Sequence, residues 1–358
     1  MGTRGLFFIL LAFPALARGD GSALFPLGDV SLTAVPAAAA PSVQAGAGRL
    51  DAGKVAAAPV DNNADAAARA LYGRLRSEYS RHIISGQTTQ YFSQLAAITG
   101  KRPVIQGFDM QNYSPHNPWH DDWSSWDDGT VQAAIDWHRS TGGAGIVTFQ
   151  WHWFSPSGGS LKTSTFYAKN TSFDVSRAVT AGTEENRLVL RDIDAIAVQL
   201  KRLRDAGVPV LWRPLHEAGG KWFWWGAGGA ENSKKLYSLL YDRLVYYHGL
   251  HNLLWVWSTP EDDWYPGNDK VDIAGYDSYP ETNAHGPQDG VFNRLNSRTG
   301  GMKMLALTEA GPIPDINLCF RQDSPWLYFM TWSDKVMSQN SNSVISNTYK
   351  DQRVLTLD

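Results

Sequence analysis

Two glutamates in this 358-residue chain each stand at the end of a short apolar run. Glu217 ends the run 208–217, and Glu309 ends the run 303–309. A carboxylate in such a setting is costly unless it is paired, hydrogen-bonded or chemically used. Either glutamate alone would suggest a salt bridge or a cap, but the two together suit cleavage of a glycosidic bond. One carboxyl group protonates the departing oxygen while the other attacks the anomeric carbon. A distance of roughly 5–5.5 Å between the two groups is typical of enzymes that retain the configuration of that carbon.

Other polar or aromatic side chains also stand at or near the ends of apolar runs. They are His152, Arg213, His216, Asp277, Tyr279 and Trp332. A lone histidine is more often buried with satisfied hydrogen bonds than functional. Here His152 and His216 stand beside tryptophans or beside Glu217, which favours contact with a ligand or orientation of a carboxylate. No Cys or His spacing indicates a closed metal cage, so we expect no metal site.

Eight short apolar runs alternate with longer amphipathic stretches, which is the pattern of βα units around a parallel sheet. The runs are 81–87, 103–110, 144–152, 208–217, 252–258, 271–279, 303–309 and 326–332. Eight strands in about 290 residues favour an α/β fold of the (β/α)₈ TIM-barrel type. A doubly wound open sheet is the main competitor, but no Gly-rich phosphate fingerprint follows the first strand. In a barrel, the carboxyl ends of the strands carry the active site.

Four helices are predicted with most clarity by apolar residues at helical spacing. They cover 131–140, 184–206, 231–248 and 334–349. The second is followed by Gly207, a residue type that commonly ends helices.

The first 65 residues differ in composition from the remainder. Residues 1–17 contain Arg4, the apolar run 6–13 and a small-residue site at 15–17, which together predict a signal peptide and a secreted, extracellular protein. Residues 18–65 are rich in Ala, Gly and Pro, which predicts a linker or arm. A single catalytic domain is therefore expected over 66–358. Because Cys319 is the only cysteine, this domain forms no internal disulfide.

The composition also narrows the range of partners. With 32 basic and 35 acidic residues the net charge is −3, and no dense basic run is present, which argues against nucleic acid. No stretch reaches the roughly 20 apolar residues that span a bilayer. The 15 Trp and 14 Tyr favour a ligand with apolar faces, such as a sugar, although about half of the Trp are expected in the core. We expect a monomer that binds a polysaccharide without a cofactor.

Both glutamates lie in motifs that resemble a known family. The segment Trp212-Arg-Pro-Leu-His-Glu-Ala-Gly-Gly-Lys-Trp-Phe-Trp-Trp-Gly226 is similar to the acid/base motif of glycoside hydrolase family 26, which consists chiefly of β-mannanases. The segment Leu307-Thr-Glu-Ala-Gly311 is similar to the nucleophile motif of that family. The resemblance extends from about residue 70 to the end of the chain. It implies a (β/α)₈ retaining enzyme with Glu217 as acid/base and Glu309 as nucleophile.

The resemblance also implies roles for the surrounding residues. Arg213, Asp277 and Tyr279 are expected around the catalytic carboxylates, and the family pattern has His at the position of His216. The residues expected to contact the sugar are His152, Trp222 and Trp332. One departure is visible, because the family often has Met-Asn-Gly after the acid/base where this chain has Ala218-Gly-Gly.

The physical roles can be stated without the family. Apolar Trp222 and Trp224 are expected to raise the pKa of Glu217 by excluding water, which would let it donate a proton. Arg213 and Tyr279 are expected to hold Glu309 ionised and aimed.

The activity implied by the resemblance is that of a retaining endo-β-1,4-mannanase acting on mannan, glucomannan or galactomannan. Two alternatives stay open. One is a β-1,3-xylanase or mixed-linkage β-glucanase of the same family, and the other is a non-catalytic carbohydrate-binding protein on the same scaffold.

Overall fold

Eight parallel strands close into a barrel in the computed structural model, which describes residues 50–118, 127–259 and 261–357. The strands are β1 (Ile83–Thr88), β2 (Ile105–Asp109), β3 (Ile146–Gln150), β4 (Val210–Arg213), β5 (Leu253–Ser258), β6 (Ile273–Ser278), β7 (Met304–Ala310) and β8 (Tyr328–Thr331). Each strand pairs with the next, and β8 returns to β1. A short β9 (Val354–Leu355) adds to the outside of β1. The predicted (β/α)₈ barrel is confirmed.

Helices connect the strands on the outside of the barrel. They are α1 (Ala66–Glu78), α2 (Phe92–Thr99), α3 (Thr130–Ser140), α4 (Val175–Ala178), α5 (Glu184–Asp205), α6 (Trp224–Ala227), α7 (Ala230–Asp242), α8 (Asp289–Thr299), α9 (Ile316–Arg321), α10 (Lys335–Ser338) and α11 (Asn342–Lys350). A π-helical turn, Arg243–Tyr247, prolongs α7. Within the described ranges, no helix combines the length and the apolar character that crossing a membrane requires.

Helix α5 shows how local chemistry sets the ends of these elements. The Thr183 side chain accepts a hydrogen bond from the backbone N–H of Asn186 and so caps the amino end. Acidic residues occupy the first turn and basic residues the last, which suits the helix dipole. Gly207, at φ 73°, ends the helix in the left-handed conformation that glycine adopts without strain. The helix predicted over 184–206 is confirmed.

The strands are apolar on both faces because each separates two parts of the core. Outward residues pack against the helices, as Leu305 and Leu307 of β7 do. The alternate residues, such as Met304 and Ala306, fill the barrel interior. Leu71 and Leu75 of α1 belong to this interior cluster, so α1 closes the amino-terminal end of the barrel.

The predicted start of the domain at residue 66 is too late. Residues 50–65, assigned to the arm by composition, pack against the barrel, and Val55 and Ala64 are buried. Two polar contacts fix this segment: the Val60 N–H donates to Asp272 (2.8 Å), and His251 pairs with Asp61 (2.7 Å). Small residues let the segment lie close to the barrel, which an Ala- and Pro-rich composition alone does not reveal. The signal peptide predicted over 1–17 and arm residues 18–49 lie outside the described ranges.

Two of the predicted helices differ from the structure. The helix expected over 231–248 becomes α7 followed by the π-helical turn. The single helix expected over 334–349 is wrong, because the chain breaks between α10 and α11. At the break, the Asn340 side chain accepts from the Ile313 N–H (2.7 Å) and donates to the Gly311 carbonyl (2.9 Å). Ser341 then caps α11, so a tertiary contact overrides the helical spacing.

Candidate active site

A layer of polar side chains covers the carboxyl-terminal end of the barrel interior. Inward-pointing residues alternate along each strand, and on β2 to β7 the last of them is polar. These residues are Asp109, Gln150, Arg213, Ser258, Asp277 and Glu309. Because the carboxyl ends of parallel strands meet at one face, six separated segments of the chain contribute to one site.

Glu309 reaches the interior only because β7 contains a bulge. Leu307 pairs with Tyr276 of β6, but Glu309 pairs with Asp277, so Thr308 is an extra residue. Without that residue, Glu309 would share the outward face of Leu307. The Thr308 hydroxyl donates to Asp277 (2.6 Å), which fixes the bulge. Gly275 makes room for it, since a Cβ there would lie 2.3 Å from the Thr308 side chain.

Arg213 joins the two carboxylates at the ends of β6 and β7. It is 1% exposed and donates through Nη1 to Asp277 (2.9 Å) and through Nη2 to Glu309 and Gln150. The second oxygen of Glu309 accepts from the Tyr279 hydroxyl. Burial and the charges of Glu309 and Glu217 raise the pKa of Tyr279, so its hydroxyl stays a donor at neutral pH. Both oxygens of Glu309 are therefore held by donors, one from Arg213 and one from Tyr279.

Glu217 follows β4 in a tightly turned loop. Leu215 and Glu217 have φ angles of 54° and 53°, a region that costs residues other than glycine roughly 1–3 kcal/mol each. The Glu217 N–H donates to the Ser258 carbonyl (2.9 Å), which holds the turn. One carboxylate oxygen of each of Glu217, Asp277 and Glu309 lies within 4.8 Å of the other two. This upper limit on the oxygen–oxygen distance suits retaining enzymes, whose carboxyl groups are roughly 5–5.5 Å apart, better than inverting ones, where the gap is roughly 6.5–9.5 Å.

Three carboxylates this close could also hold a cation. Among the described residues, this is the only group of His, Cys, Asp and Glu side chains close enough to do so. The Arg213 guanidinium already bridges two of its members, which supplies positive charge without an ion. The arrangement therefore fits acid/base and nucleophilic chemistry better than metal binding.

The pKa of Glu217 is raised well above its usual range. Burial is the main cause, followed by the negative charges of Glu309 and Asp277, while Arg213 and Trp222 oppose the shift. A raised pKa keeps a carboxyl group protonated and able to act as an acid near neutral pH. Burial and the charge of Glu309 likewise raise the pKa of Asp277, against the attraction of Arg213.

The tryptophans act on Glu217 differently from the sequence expectation. Trp222 is 46% exposed, and its indole N–H donates to a Glu217 carboxylate oxygen (3.0 Å), which stabilises the charged form. Trp224 is fully buried and donates to the backbone carbonyl of Trp153 (2.7 Å), away from the carboxylate. The Trp222 hydrogen bond therefore opposes the raised pKa of Glu217, and the Trp224 indole N–H is engaged elsewhere.

Substitution of Trp222 by Phe tests this hydrogen bond. The change keeps an aromatic face but removes the donor, so the pKa of Glu217 should rise further. Because the acid must be protonated, the alkaline limb of the pH profile of kcat/KM should move to higher pH. The profile is measured from about pH 4 to pH 9 on one oligosaccharide. An alkaline limb that moves to lower pH would contradict this role.

His152, His216 and Trp332 line one side of the same cleft. His152 bonds through Nδ1 to Asp109 (2.5 Å), and its ring meets that of His216 edge to face at 4.7 Å. Trp332 lies 6.0 Å from His152 between ring centres. Burial and the charges of Arg213 and His152 lower the pKa of His216 well below its usual range, so it is a neutral imidazole. Among the described residues, no hydrogen bond joins His216 to either glutamate.

All nine residues singled out in the sequence converge at this end of the barrel, and the structure adds further members. Asp109 accepts from the backbone N–H of His152 (3.0 Å) as well as bonding its ring, so it orients that side chain. Gln150 accepts from Arg213 (2.7 Å) and donates to Asp109 (3.2 Å), which links the two sides of the site. Asp109 and Gln150 also stand at the ends of apolar runs, so the pattern that indicates Glu217 indicates them as well.

In the segment Ala218-Gly-Gly that follows Glu217, Gly219 lies against the side chain of Glu261. A Cβ at position 219 would lie 2.0 Å from a carboxylate oxygen of Glu261, in the loop after β5. A side chain at position 219 would therefore require Glu261 to move.

A (β/α)₈ barrel with two glutamates converging from the ends of β4 and β7 defines the class of retaining glycoside hydrolases. The model of glycosyl hydrolase family 26 matches residues 60–358, and the chain belongs to this family. A mannan endo-1,4-β-mannosidase of Thermothelomyces thermophilus is 45% identical over 311 residues, which are 83% of this chain and 62% of that protein. Piromyces mannan endo-1,4-β-mannosidase B is 35% identical, covering 82% of this chain and 52% of that protein.

Solved structures show the same similarity. The crystal structure of a Podospora anserina GH26-CBM35 β-(1,4)-mannanase has a TM-score of 0.79 and 41% identity, covering 85% of this chain and 69% of that chain. A β-mannanase from a symbiotic protist of the termite Reticulitermes speratus, in complex with a gluco-manno-oligosaccharide, has a TM-score of 0.74 and 34% identity. That comparison covers 85% of this chain and 97% of the other. The chain spans only 50% to 62% of the length of three curated relatives that it matches.

Proposed function

We propose that this protein is a retaining endo-β-1,4-mannanase that hydrolyses mannan, glucomannan or galactomannan. The observation that carries the proposal is the convergence of Glu217 and Glu309, with carboxylate oxygens within 4.8 Å, at the carboxyl end of the barrel. The names of the relatives, which are mannan endo-1,4-β-mannosidases, support the choice of substrate.

The first step forms a glycosyl–enzyme ester. A Glu309 oxygen attacks the anomeric carbon while Glu217 transfers its proton to the glycosidic oxygen, and the bond from that carbon to the leaving chain breaks. The raised pKa of Glu217 supports this role, because the proton is still present near neutral pH. Arg213 and Tyr279 hold the carboxylate of Glu309 in place for the attack.

The second step returns the enzyme to its starting state. Glu217, now charged, takes a proton from water as the water oxygen attacks the anomeric carbon, and the ester bond to Glu309 breaks. Two inversions at one carbon give net retention. Every proton and bond in this cycle is carried by the two glutamates and water, so the proposal includes no cofactor.

Polymer specificity provides the experimental test of this proposal. Release of reducing ends is compared on β-1,4-mannan, β-1,3-xylan and lichenan, and the anomer formed first from a defined manno-oligosaccharide is followed by NMR. We expect cleavage of mannan within the chain and initial formation of the β-anomer. Cleavage of xylan or lichenan without mannan would favour the alternative enzymes of the family. Retention on mannan gels without any hydrolysis would favour a carbohydrate-binding protein.

We further propose that the chain is secreted as a monomer, with residues 1–17 removed, residues 18–49 as an arm and the catalytic domain after it. The apolar run 6–13 followed by Ala15-Leu-Ala17 supports this reading. Sequencing the amino terminus of protein recovered from culture medium, together with its mass in solution, tests it. A chain that starts at Met1 would contradict the removal of residues 1–17, and a chain that elutes as a dimer would contradict the monomeric state.

A further inference from the structure

A second pocket, of about 410 Å³, lies at the end of the barrel opposite the glutamates. Its walls come from residues 56–62, from the end of α7 with the π-helical turn, from residues 268–270 and from Lys303. Lys270 precedes β6 and Lys303 precedes β7, which places the pocket at the amino-terminal ends of these strands. Its size is within the range of ligand sites, which are typically about 300–1,000 Å³.

Tyr246 gives the pocket an exposed aromatic face. It is 69% exposed, and its ring stands edge-on against buried Tyr241 at 5.9 Å, which supports it from below. Both tyrosines line the pocket. Tyr246 is carried by the π-helical turn, a backbone feature that often occurs at functional sites. A supported, exposed ring of this kind suits stacking against the apolar face of a sugar.

Lys303 gives the pocket a hydrogen-bond donor on a side chain that is mostly buried. The residue is 4% exposed, yet its ammonium forms no hydrogen bond and no ion pair with any residue in the described ranges. Neighbouring Lys270 differs, because it pairs with Asp269 at 2.9 Å. Burial lowers the pKa of Lys303, against the attraction of Asp272 and Asp269. Because burial disfavours the charged form, a ligand that supplies oxygen atoms to this ammonium would stabilise it.

The charges around the pocket favour a neutral ligand. Lys270 pairs with Asp269, and the opposite charges that act on Lys303 are those of buried Asp272 and of Asp269. A polyanion would therefore meet carboxylates as well as ammonium groups. Hydroxyl groups accept from an ammonium without adding charge, and a sugar ring presents both hydroxyls and an apolar face.

We propose that the pocket formed by Tyr246, Tyr241 and Lys303 is an accessory binding site for neutral polysaccharide, separate from the catalytic cleft. Tyr246 stacks on one hexose ring, and the Lys303 ammonium donates to its hydroxyl groups. The site would hold the enzyme on a polymer while the cleft at the other end of the barrel acts on a chain. If the neutral polysaccharide is mannan, that identity rests on the proposed function. The binding of a hexose ring by Tyr246 and Lys303 does not depend on it.

The experiment compares two neighbouring tyrosines. Tyr247 is 65% exposed and adjacent in sequence, but it lies outside the pocket, with the Arg243 guanidinium 3.5 Å from the centre of its ring. Tyr246→Ala and Tyr247→Ala are each made in a full-length Glu309→Gln background, which prevents hydrolysis. Retention is measured by affinity electrophoresis in glucomannan, lichenan and polygalacturonate gels. We expect Tyr246→Ala to weaken binding to a neutral polymer roughly three- to tenfold, the loss expected for one aromatic contact, and Tyr247→Ala to match its parent.

Lys303→Met keeps the apolar stem and removes the donor, so it should weaken retention to a similar extent. Thermal unfolding of this variant shows whether the fold survives.

In the active chain, Tyr246→Ala should leave kcat/KM on mannohexaose unchanged and lower the rate on polymer. Unchanged retention of Tyr246→Ala, equal losses in both tyrosine variants, or retention by polygalacturonate alone would each overturn the proposal. Binding is measured on several polymers without turnover. The accessory site can therefore be disproved while mannan hydrolysis is observed, and mannan hydrolysis can be disproved while the accessory site binds polymer.

Discussion

Replacement of Glu309 by Ala is expected to lower kcat/KM on mannan by roughly 10⁴-fold or more, the scale seen when a covalent nucleophile is removed. Its carboxylate is the group placed to form the glycosyl ester, and Arg213 and Tyr279 are already arranged around it. Initial rates of reducing-end release on mannan give the size of the effect. Glu309→Gln, which is nearly isosteric, should show a loss of similar order, because an amide cannot form the ester.

Azide provides a sharper test of the same residue. In Glu309→Ala, a small anion can occupy the vacated space and attack the anomeric carbon directly, which is a single displacement. We therefore expect partial recovery of rate with an activated aryl mannoside and a glycosyl azide of inverted configuration. Near-parental hydrolysis by Glu309→Ala without azide would show that another group is the nucleophile. Circular dichroism and thermal unfolding of the variant exclude loss of the fold as the cause.

Replacement of Glu217 by Ala is expected to affect substrates according to their leaving group. Mannan needs a proton on the departing oxygen, so its rate should fall by roughly 10²–10⁴-fold, the usual contribution of general acid catalysis. An aryl mannoside with an acidic phenol needs little protonation, so formation of the glycosyl ester should be nearly unaffected. The ester should then accumulate, because the base for the second step is missing. A burst of phenol followed by slow turnover is the expected observation.

The pH profile of Glu217→Ala gives an independent check. The pKa of Glu217 is raised by burial and by Glu309 and Asp277, and the acid acts only while protonated, so activity of the parent should fall as pH rises through that pKa. This alkaline limb should be absent from the Glu217→Ala profile for the aryl substrate. Persistence of the same limb in the variant would assign it to another group and remove Glu217 from the role of acid.

Much of the architecture was predictable because it is periodic. Each of the eight apolar runs overlaps one barrel strand, since a strand buried on both faces must be apolar along most of its length. Helix α5 was predictable for the same reason, with a buried stripe and capping residues at both ends. Prediction failed at Asn340, where one buried amide ties the chain to Gly311 and Ile313 and divides an expected helix. It also failed at Val55, which packs on the barrel although its surroundings resemble a linker.

The positions of Glu217 and Glu309 at strand ends, their flanking motifs and the kind of chemistry they suit were determined by the sequence alone. Only the tertiary structure decided how they meet. The Thr308 bulge turns Glu309 inward, Arg213 links it to Asp277, and the Trp222 hydrogen bond opposes the raised pKa of Glu217. Local patterns report which residues are buried, because burial follows periodicity along one segment. A pKa or a hydrogen bond depends on charges and donors from distant segments, and their distances exist only once the barrel has closed.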